Sequence, residues 1–383
     1  MAGTDQQVEP PDPGAIGSVF DVYEVRRDGD RILYIGEPIA SGETLERELW
    51  PLFRDRGYEI SLQRGYRGGE LDFPVSHGEF VLVAEPWSQG SEGIPRWNVA
   101  LFVLTVLSTF FAGAFYWYQV PITEEPWRVL EAWPFVLAIM GVLGIHELGH
   151  YAMSRYHNVQ ASLPYFIPLP TYIGSMGAVI KMKGRIPDRK ALFDIGAAGP
   201  LAGLVATVVI TAIGLQLEPL AVQQAAAESD TASVVFNHPP LLELIAEATG
   251  TTGRLEDGVV HPVVFGGWVG MLVTLLNMLP VGQLDGGHIL RAMIGERQPQ
   301  ISAAVPGALF ALAAYLLFVA DGFDSVGIWV MWGLFALGLS YAGPAEPIRD
   351  HPLDKKRMLV GILTFVLAAL CFTPVPIEII EAA

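Results

Sequence analysis

The run GIHELGHYAM places His146 and His150 one helical turn apart, with Glu147 beside the first. On an α-helix the two imidazoles share a face and can reach one metal ion. Glu147 is then close enough to hydrogen-bond a water next to that ion. Zinc lowers the pKa of such a water to about 7, and a neighbouring carboxylate can take its proton and pass it to a leaving amine. The chemistry indicated is metal-assisted hydrolysis. Its setting is unusual, because apolar sequence surrounds the motif, and ionisable groups in such a segment are costly and functional by default.

Two histidines do not complete a site, and a third ligand is required. A continuation of the H-E-x-x-H-x-x-G-x-x-H type fails, since Met153 holds the glycine position and Tyr156 that of the third histidine. A glutamate ligand is no better supplied, as Glu243 and Glu296 fall in loops. Asp285 suits the role: it lies in a Pro- and Gly-broken apolar segment, LLNMLPVGQLDGGHILRAM, at the same end of its span as His146 and His150. A non-proteolytic reading, a divalent-metal transporter or a membrane chaperone, uses the same ligands but has no need of a base at Glu147.

These residues need elements that cross a bilayer. The chain of 383 residues is 51% hydrophobic and 16% charged, with a mean hydropathy of +0.40, which places it among membrane proteins. Apolar stretches near 98–119, 133–154, 192–216, 262–290, 301–320, 326–342 and 358–377 predict a polytopic α-helical protein of about six or seven spans, the sixth being short. Basic residues set its orientation. Arg155, Lys181, Lys183, Arg185, Arg189 and Lys190 fall between the second and third stretches, and Arg349, Lys355, Lys356 and Arg357 between the last two, whereas the opposite loops carry only Arg128 and Arg254. The N-terminal part is therefore expected in the cytoplasm and the C-terminus outside the cell membrane.

A net charge of −17 argues against nucleic acid as a partner. Only five of the 23 basic residues are lysine, a bias that matches a protein kept soluble in concentrated salt. The single cysteine, Cys371, excludes an intrachain disulfide and a thiolate metal cage. Residues 1–17 are acidic and polar and read as a disordered tail, neither signal peptide nor span. Residues 18–95 read as a small α+β cytoplasmic domain, with strands on both sides of an Asp-Gly turn, an amphipathic helix and two further strands. Residues 96–383 form the transmembrane domain, with its core at 133–292.

One apolar stretch cannot be a helix. Residues 163–184 contain Pro164, Pro168 and Pro170, then Gly174 and Gly177, and end in β-branched alternation. They predict a re-entrant β-hairpin, which at membrane depth must lie against protein or a water-filled cavity. Gly199 and Gly203 form a G-x-x-x-G expected to serve helix packing. Asp194 reads as interfacial, His288 as either interfacial or a support for Asp285, and Trp117, Tyr118 and Tyr341 as interface anchors.

HELGH on one apolar helix, with Asn277, Pro280, Asp285 and Gly286 in NMLPVGQLDG on a later one, resembles the site-2 protease family of intramembrane zinc metalloproteases. PYFIPLP and GAAGPLAG resemble its branch in archaea, cyanobacteria and chloroplasts. The resemblance runs from about residue 133 to 292, and no PDZ-type insertion is recognisable. It implies that His146, His150 and Asp285 bind one Zn2+, that Glu147 is the general base, and that Asn277 holds substrate or stabilises the oxyanion. It also implies a membrane-spanning protein substrate, cut in or near its transmembrane segment in regulated intramembrane proteolysis. Ser175, Gly177, Val179 and Lys181, on the second hairpin strand, are then expected to bind that substrate by strand addition.

Overall fold

The computed structural model describes residues 9–64, 80–87, 95–182, 185–223, 233–320 and 322–380. It divides into two compact units, Met1–Glu92 and Gly93–Ala383.

In the first unit, α1 (Pro13–Ile16) precedes β1 (Phe20–Asp28), β2 (Arg31–Pro38), α2 (Gly42–Arg54), β3 (Tyr58–Gln63) and β4 (Phe80–Pro86). The strands form one antiparallel sheet in the order β1-β2-β4-β3. Gly29, at φ +60°, makes the Asp-Gly turn possible. Ser41 accepts the Thr44 amide at the start of α2, whose Leu45, Leu49 and Phe53 are buried at helical spacing. The expected disordered tail takes a different form where it is described. Ile16 is fully buried, and the buried Tyr34 hydroxyl donates to the Pro11 carbonyl at 2.7 Å. Apolar and hydrogen-bonding partners on β2 thus order residues 11–16, while residues 1–8 lie outside the described part.

The second unit is mainly helical. In chain order it contains α3 (Arg96–Ala112), continued by a π-helical turn over Gly113–Trp117, then α4 (Trp133–Tyr156), the strands β5 (Tyr165–Pro168), β6 (Ser175–Val179) and β7 (Ile186–Asp188), and α5 (Arg189–Gln216). After these come β8 (Ser233–Phe236), α6 (Pro240–Thr249), α7 (Thr252–Glu256), α8 (Pro262–Asn277), α9 (Asp285–Ile294), α10 (Gln298–Ser302), α11 (Ala304–Phe318), α12 (Phe323–Ala342), β9 (Pro347–Arg349), α13 (Lys355–Ala369) and β10 (Ile377–Ile380).

By length and composition, four helical segments can cross a membrane: Arg96–Trp117, Pro126–Tyr156, Arg189–Gln216 and Phe323–Ala342. The pair Asp285–Ser302 and Ala304–Phe318, bent by 52°, makes a fifth if it is one span. The sixth predicted stretch is therefore a full helix of 20 residues. The fourth is not continuous: α8 ends at Asn277 and α9 begins at Asp285, with Pro280 and Gly282 in the break. Gly282 has φ +53°, and a β-carbon there would lie 2.5 Å from the Leu339 carbonyl oxygen of α12. The seventh stretch gives only the 15-residue α13 before the chain turns extended at Ile377.

Small residues let α4, α5 and α8 approach closely, as expected where lipid removes the usual hydrophobic drive between helices. The backbone of α8 at Gly267 and Gly270 meets the hydroxyls of Thr211 and Thr207 on α5, and Gly266 meets Ala138 on α4. Both threonine hydroxyls are buried without a conventional hydrogen-bond partner. Glycine Cα–H groups facing them supply weak donors.

The predicted hairpin is present as β5 paired antiparallel with β6, Tyr165 opposite Val179 and Ile167 opposite Gly177. It is fastened to α3 at two places. Asn98 donates to the Leu163 and Pro164 carbonyls at 2.7 and 3.1 Å, and the Trp117 indole donates to the Tyr172 carbonyl at 2.8 Å. Trp117 also packs against Phe135, Phe236 and Phe265, so this expected interface anchor belongs to an aromatic cluster. Tyr341 is almost fully exposed.

Candidate metal centre

Three side chains from two helices converge where α4 meets the start of α9. His146 and His150 project from one face of α4, and Asp285 is the first residue of α9. His146 Nε2 lies 3.2 Å from Asp285 Oδ2, His150 Nε2 lies 3.2 Å from Asp285 Oδ1, and the two Nε2 atoms are 3.2 Å apart.

The donor set fits a tetrahedral divalent metal. Zinc bonds of about 2.0–2.1 Å imply ligand atoms separated by about 3.3 Å, close to the Nε2–Nε2 distance, and Asp285 offers one oxygen to each histidine at a similar range. His150 Nδ1 sits 2.8 Å from the Ile195 carbonyl oxygen, which can only accept, so that nitrogen carries the proton and Nε2 presents its lone pair inward. Among the described residues this is the group of histidine and acidic side chains whose spacing can hold a metal ion. The sequence expectation of two histidines and a distant aspartate is brought together in space.

Other predicted residues surround this centre. Glu147 is buried and lies close to the Ile180 backbone, just beyond β6. Asn277, at the end of α8, holds its side-chain amide 3.3 Å from His146 Nε2. The four hairpin residues divide. Ser175 is buried, and its hydroxyl bonds within the hairpin to Ile167 and Gly177, while the Lys181 N–H is taken by Ser162 Oγ. Val179 is exposed, and Gly177, at φ +112°, has open space where a β-carbon would stand. Lys183 and Gly184, the end of the predicted hairpin, lie outside the described residues.

The G-x-x-x-G of α5 has a closer relation to the site than helix packing alone. A β-carbon at Gly199 would occupy the position of the His150 imidazole, and one at Gly203 would lie 2.8 Å from His146 Nδ1. Two pairs at i, i+4 spacing face each other across the helix interface, one of imidazoles and one of glycines. That matched spacing was the available signal in the sequence. Gly286, after Asp285, has no room for a β-carbon against the Met278 carbonyl, which packs the start of α9 onto the end of α8. His288 is buried with Nε2 unpartnered, and its β-carbon lies 3.0 Å from where one at Gly196 would stand.

Asp194 ties this region together. It receives both the Nε and Nη2 groups of Arg357 at 2.7 Å, and His157, just past α4, at 2.9 Å. The forked pair joins α5 to α13, a stronger tie than the interfacial placement read from sequence.

Comparison with known proteins agrees with this geometry. Residues 134–319 match the model of peptidase family M50. The chain is 35% identical over 259 residues to a probable zinc metalloprotease, EGY1, chloroplastic, of Arabidopsis thaliana, covering 65% of this chain and 44% of that protein. It is 28% identical over 362 residues to the probable zinc metalloprotease EGY2 of the same plant, covering 89% and 59%. A third Arabidopsis protein, probable zinc metallopeptidase EGY3, is 27% identical over 386 residues, covering 92% and 63%. The chain thus spans roughly half the length of the curated relatives it matches. Its HELGH helix, its broken aspartate helix and the helices between them all lie within the residues that match peptidase family M50.

Proposed function

We propose that the protein is an intramembrane zinc endopeptidase that hydrolyses a peptide bond in or near the transmembrane segment of a membrane-bound protein. The observation that carries this reading is the convergence of His146, His150 and Asp285, each pair in contact at 3.2 Å, with Glu147 on the same helix turn.

His146, His150 and Asp285 would hold the zinc. When bound, it supplies Lewis acidity that polarises a carbonyl and makes water a donor near neutral pH. Glu147 accepts the water's proton and returns it to the leaving amine. The Asn277 amide, beside His146, donates to the carbonyl oxygen as negative charge develops there. Ile195 fixes the His150 tautomer, and Gly199 and Gly203 leave the imidazoles room to meet.

A transmembrane helix hides its amides in internal hydrogen bonds, so cleavage requires an extended segment. Strand addition at the β6 edge supplies main-chain partners for that form. Support comes from Ile180, just beyond β6, whose backbone lies close to Glu147. The fastening of the hairpin along α3 supports its re-entrant placement. Asn98 and Trp117 are about 28 Å apart along a helix, close to the thickness of a bilayer's hydrocarbon core of about 30 Å. The distribution of basic residues supports a cytoplasmic N-terminal domain, and release of a substrate's cytoplasmic part follows from that orientation.

The test is cleavage of a panel of single-span polypeptides by the full chain in detergent, with products identified by mass. Cleavage that is lost in Glu147→Gln while zinc stays bound supports the reading. Hydrolysis that survives in Glu147→Gln, or a wild-type protein that binds no zinc, overturns it and favours metal transport or a chaperone role.

A further inference from the structure

Arg189 opens α5 and Arg291 lies on α9, six residues after Asp285. Both are more than nine-tenths buried. They share a single carboxylate oxygen: Arg189 Nε and Arg291 Nη1 both donate to Asp350 Oδ1, the latter at 3.4 Å. Asp350 follows β9, which pairs in parallel with β7, and its side chain is more than a third exposed. The remaining guanidinium nitrogens of both arginines have no protein partner among the described residues, and none is sealed from solvent.

The arrangement is therefore two buried cations against one carboxylate. Buried charges are ordinarily matched and their donors satisfied. Here one positive charge and several planar N–H groups are left over, none of them fully sealed from solvent. The fold makes room for this at Gly295, where φ is +67° and a β-carbon would collide with Arg189 Nη2.

We infer that Arg189 and Arg291 form a binding site for a phosphate-bearing anion, with Asp350 as the internal carboxylate it competes against. Two guanidinium forks from different helices match the several oxygens of a phosphate better than one carboxylate oxygen does. The phosphate has two possible sources, a free ion or the headgroup of an anionic lipid at the polar end of the helices. Because Arg291 shares α9 with Asp285, occupancy would also steady the helix that carries the third metal ligand.

The experiment uses the full chain and reads the unfolding midpoint. One arm adds inorganic phosphate in detergent, with chloride at equal ionic strength as control. The other compares nanodiscs of phosphatidylcholine with nanodiscs containing phosphatidylglycerol. The expected result is a rise of a few degrees that chloride does not reproduce, is lost in Arg291→Gln and is larger in Asp350→Asn. A rise with inorganic phosphate identifies a free-anion site, and a rise only with phosphatidylglycerol identifies a headgroup site. No rise in either arm, an equal rise in Arg291→Gln, or an Asp350→Asn response no greater than wild type overturns the proposal. Should Arg291→Gln fail to fold, the comparison of Asp350→Asn with wild type decides.

Discussion

Gly199 on α5 lies so close beneath His150 that a β-carbon there would take the place of the imidazole. Its missing side chain is a condition for the metal centre. Gly199→Ala should therefore displace His150 and lower zinc content several-fold, with an overpacking cost of about 1–3 kcal/mol. Gly203→Ala, facing His146 at 2.8 Å, should do the same more mildly. Zinc content at wild-type level in Gly199→Ala would show that α5 can move away from α4.

Metal content should divide the site residues by role. Wild type and Glu147→Gln are expected to bind about one zinc, and Asp285→Ala to lose most of it. Elemental analysis of the three proteins side by side is the check. Zinc that is indifferent to Asp285 would remove it as a ligand.

Proline at Ile180 removes a backbone N–H next to Glu147. Cleavage should fall by about tenfold or more, equivalent to about 1.4 kcal/mol or more, with zinc content unchanged. Lys181→Pro acts differently, because it removes the bond to Ser162 Oγ and should weaken the hairpin by about 1 kcal/mol. If Ile180→Pro cleaves as wild type does, β6 is not the surface that receives substrate.

The N-terminal unit should carry an alkaline signature. Burial pushes the Tyr34 hydroxyl up to about 12 from its ordinary 10. A raised folded value means that this contribution is full below about pH 10 and fades as pH climbs towards 12. Tyr34→Phe, which loses the bond to Pro11 at about 1 kcal/mol, should flatten that dependence. Unfolding followed from pH 9 to 12 in both proteins is the measurement, and parallel profiles would assign the titration elsewhere.

The convergence of His146, His150 and Asp285 was legible in sequence because the constraints on them are local or nearly so. HELGH fixes two ligands by helical period, and Asp285 follows from a break that Pro and Gly announce. The N-terminal strands and α2 were legible from alternation and from the Asp-Gly turn. Relations between distant elements were not. Nothing local to Gly199 marks it as the floor under His150, and Asp194 shows its forked partner only once α13 is folded beside α5. Hydropathy alone marked the extent of the fourth and seventh stretches but not where their helices end, since an apolar run reports burial and not continuity. Chain ordering at residues 11–16 was missed for a similar reason: a polar composition hides the one buried isoleucine and the one carbonyl that Tyr34 needs.

The two fastenings between α3 and the hairpin also act as a ruler. Nineteen helical positions separate Asn98 from Trp117, and nine positions, β5 with the start of the turn after it, separate Leu163 from Tyr172. Both paths must bridge the same two contacts, at about 1.5 Å per helical residue and about 3.3 Å per residue within β5. Removing one hairpin residue would then have to be matched by removing about two from the helix. Length changes in these segments are coupled, so among natural or engineered variants the hairpin and α3 should shorten or lengthen together.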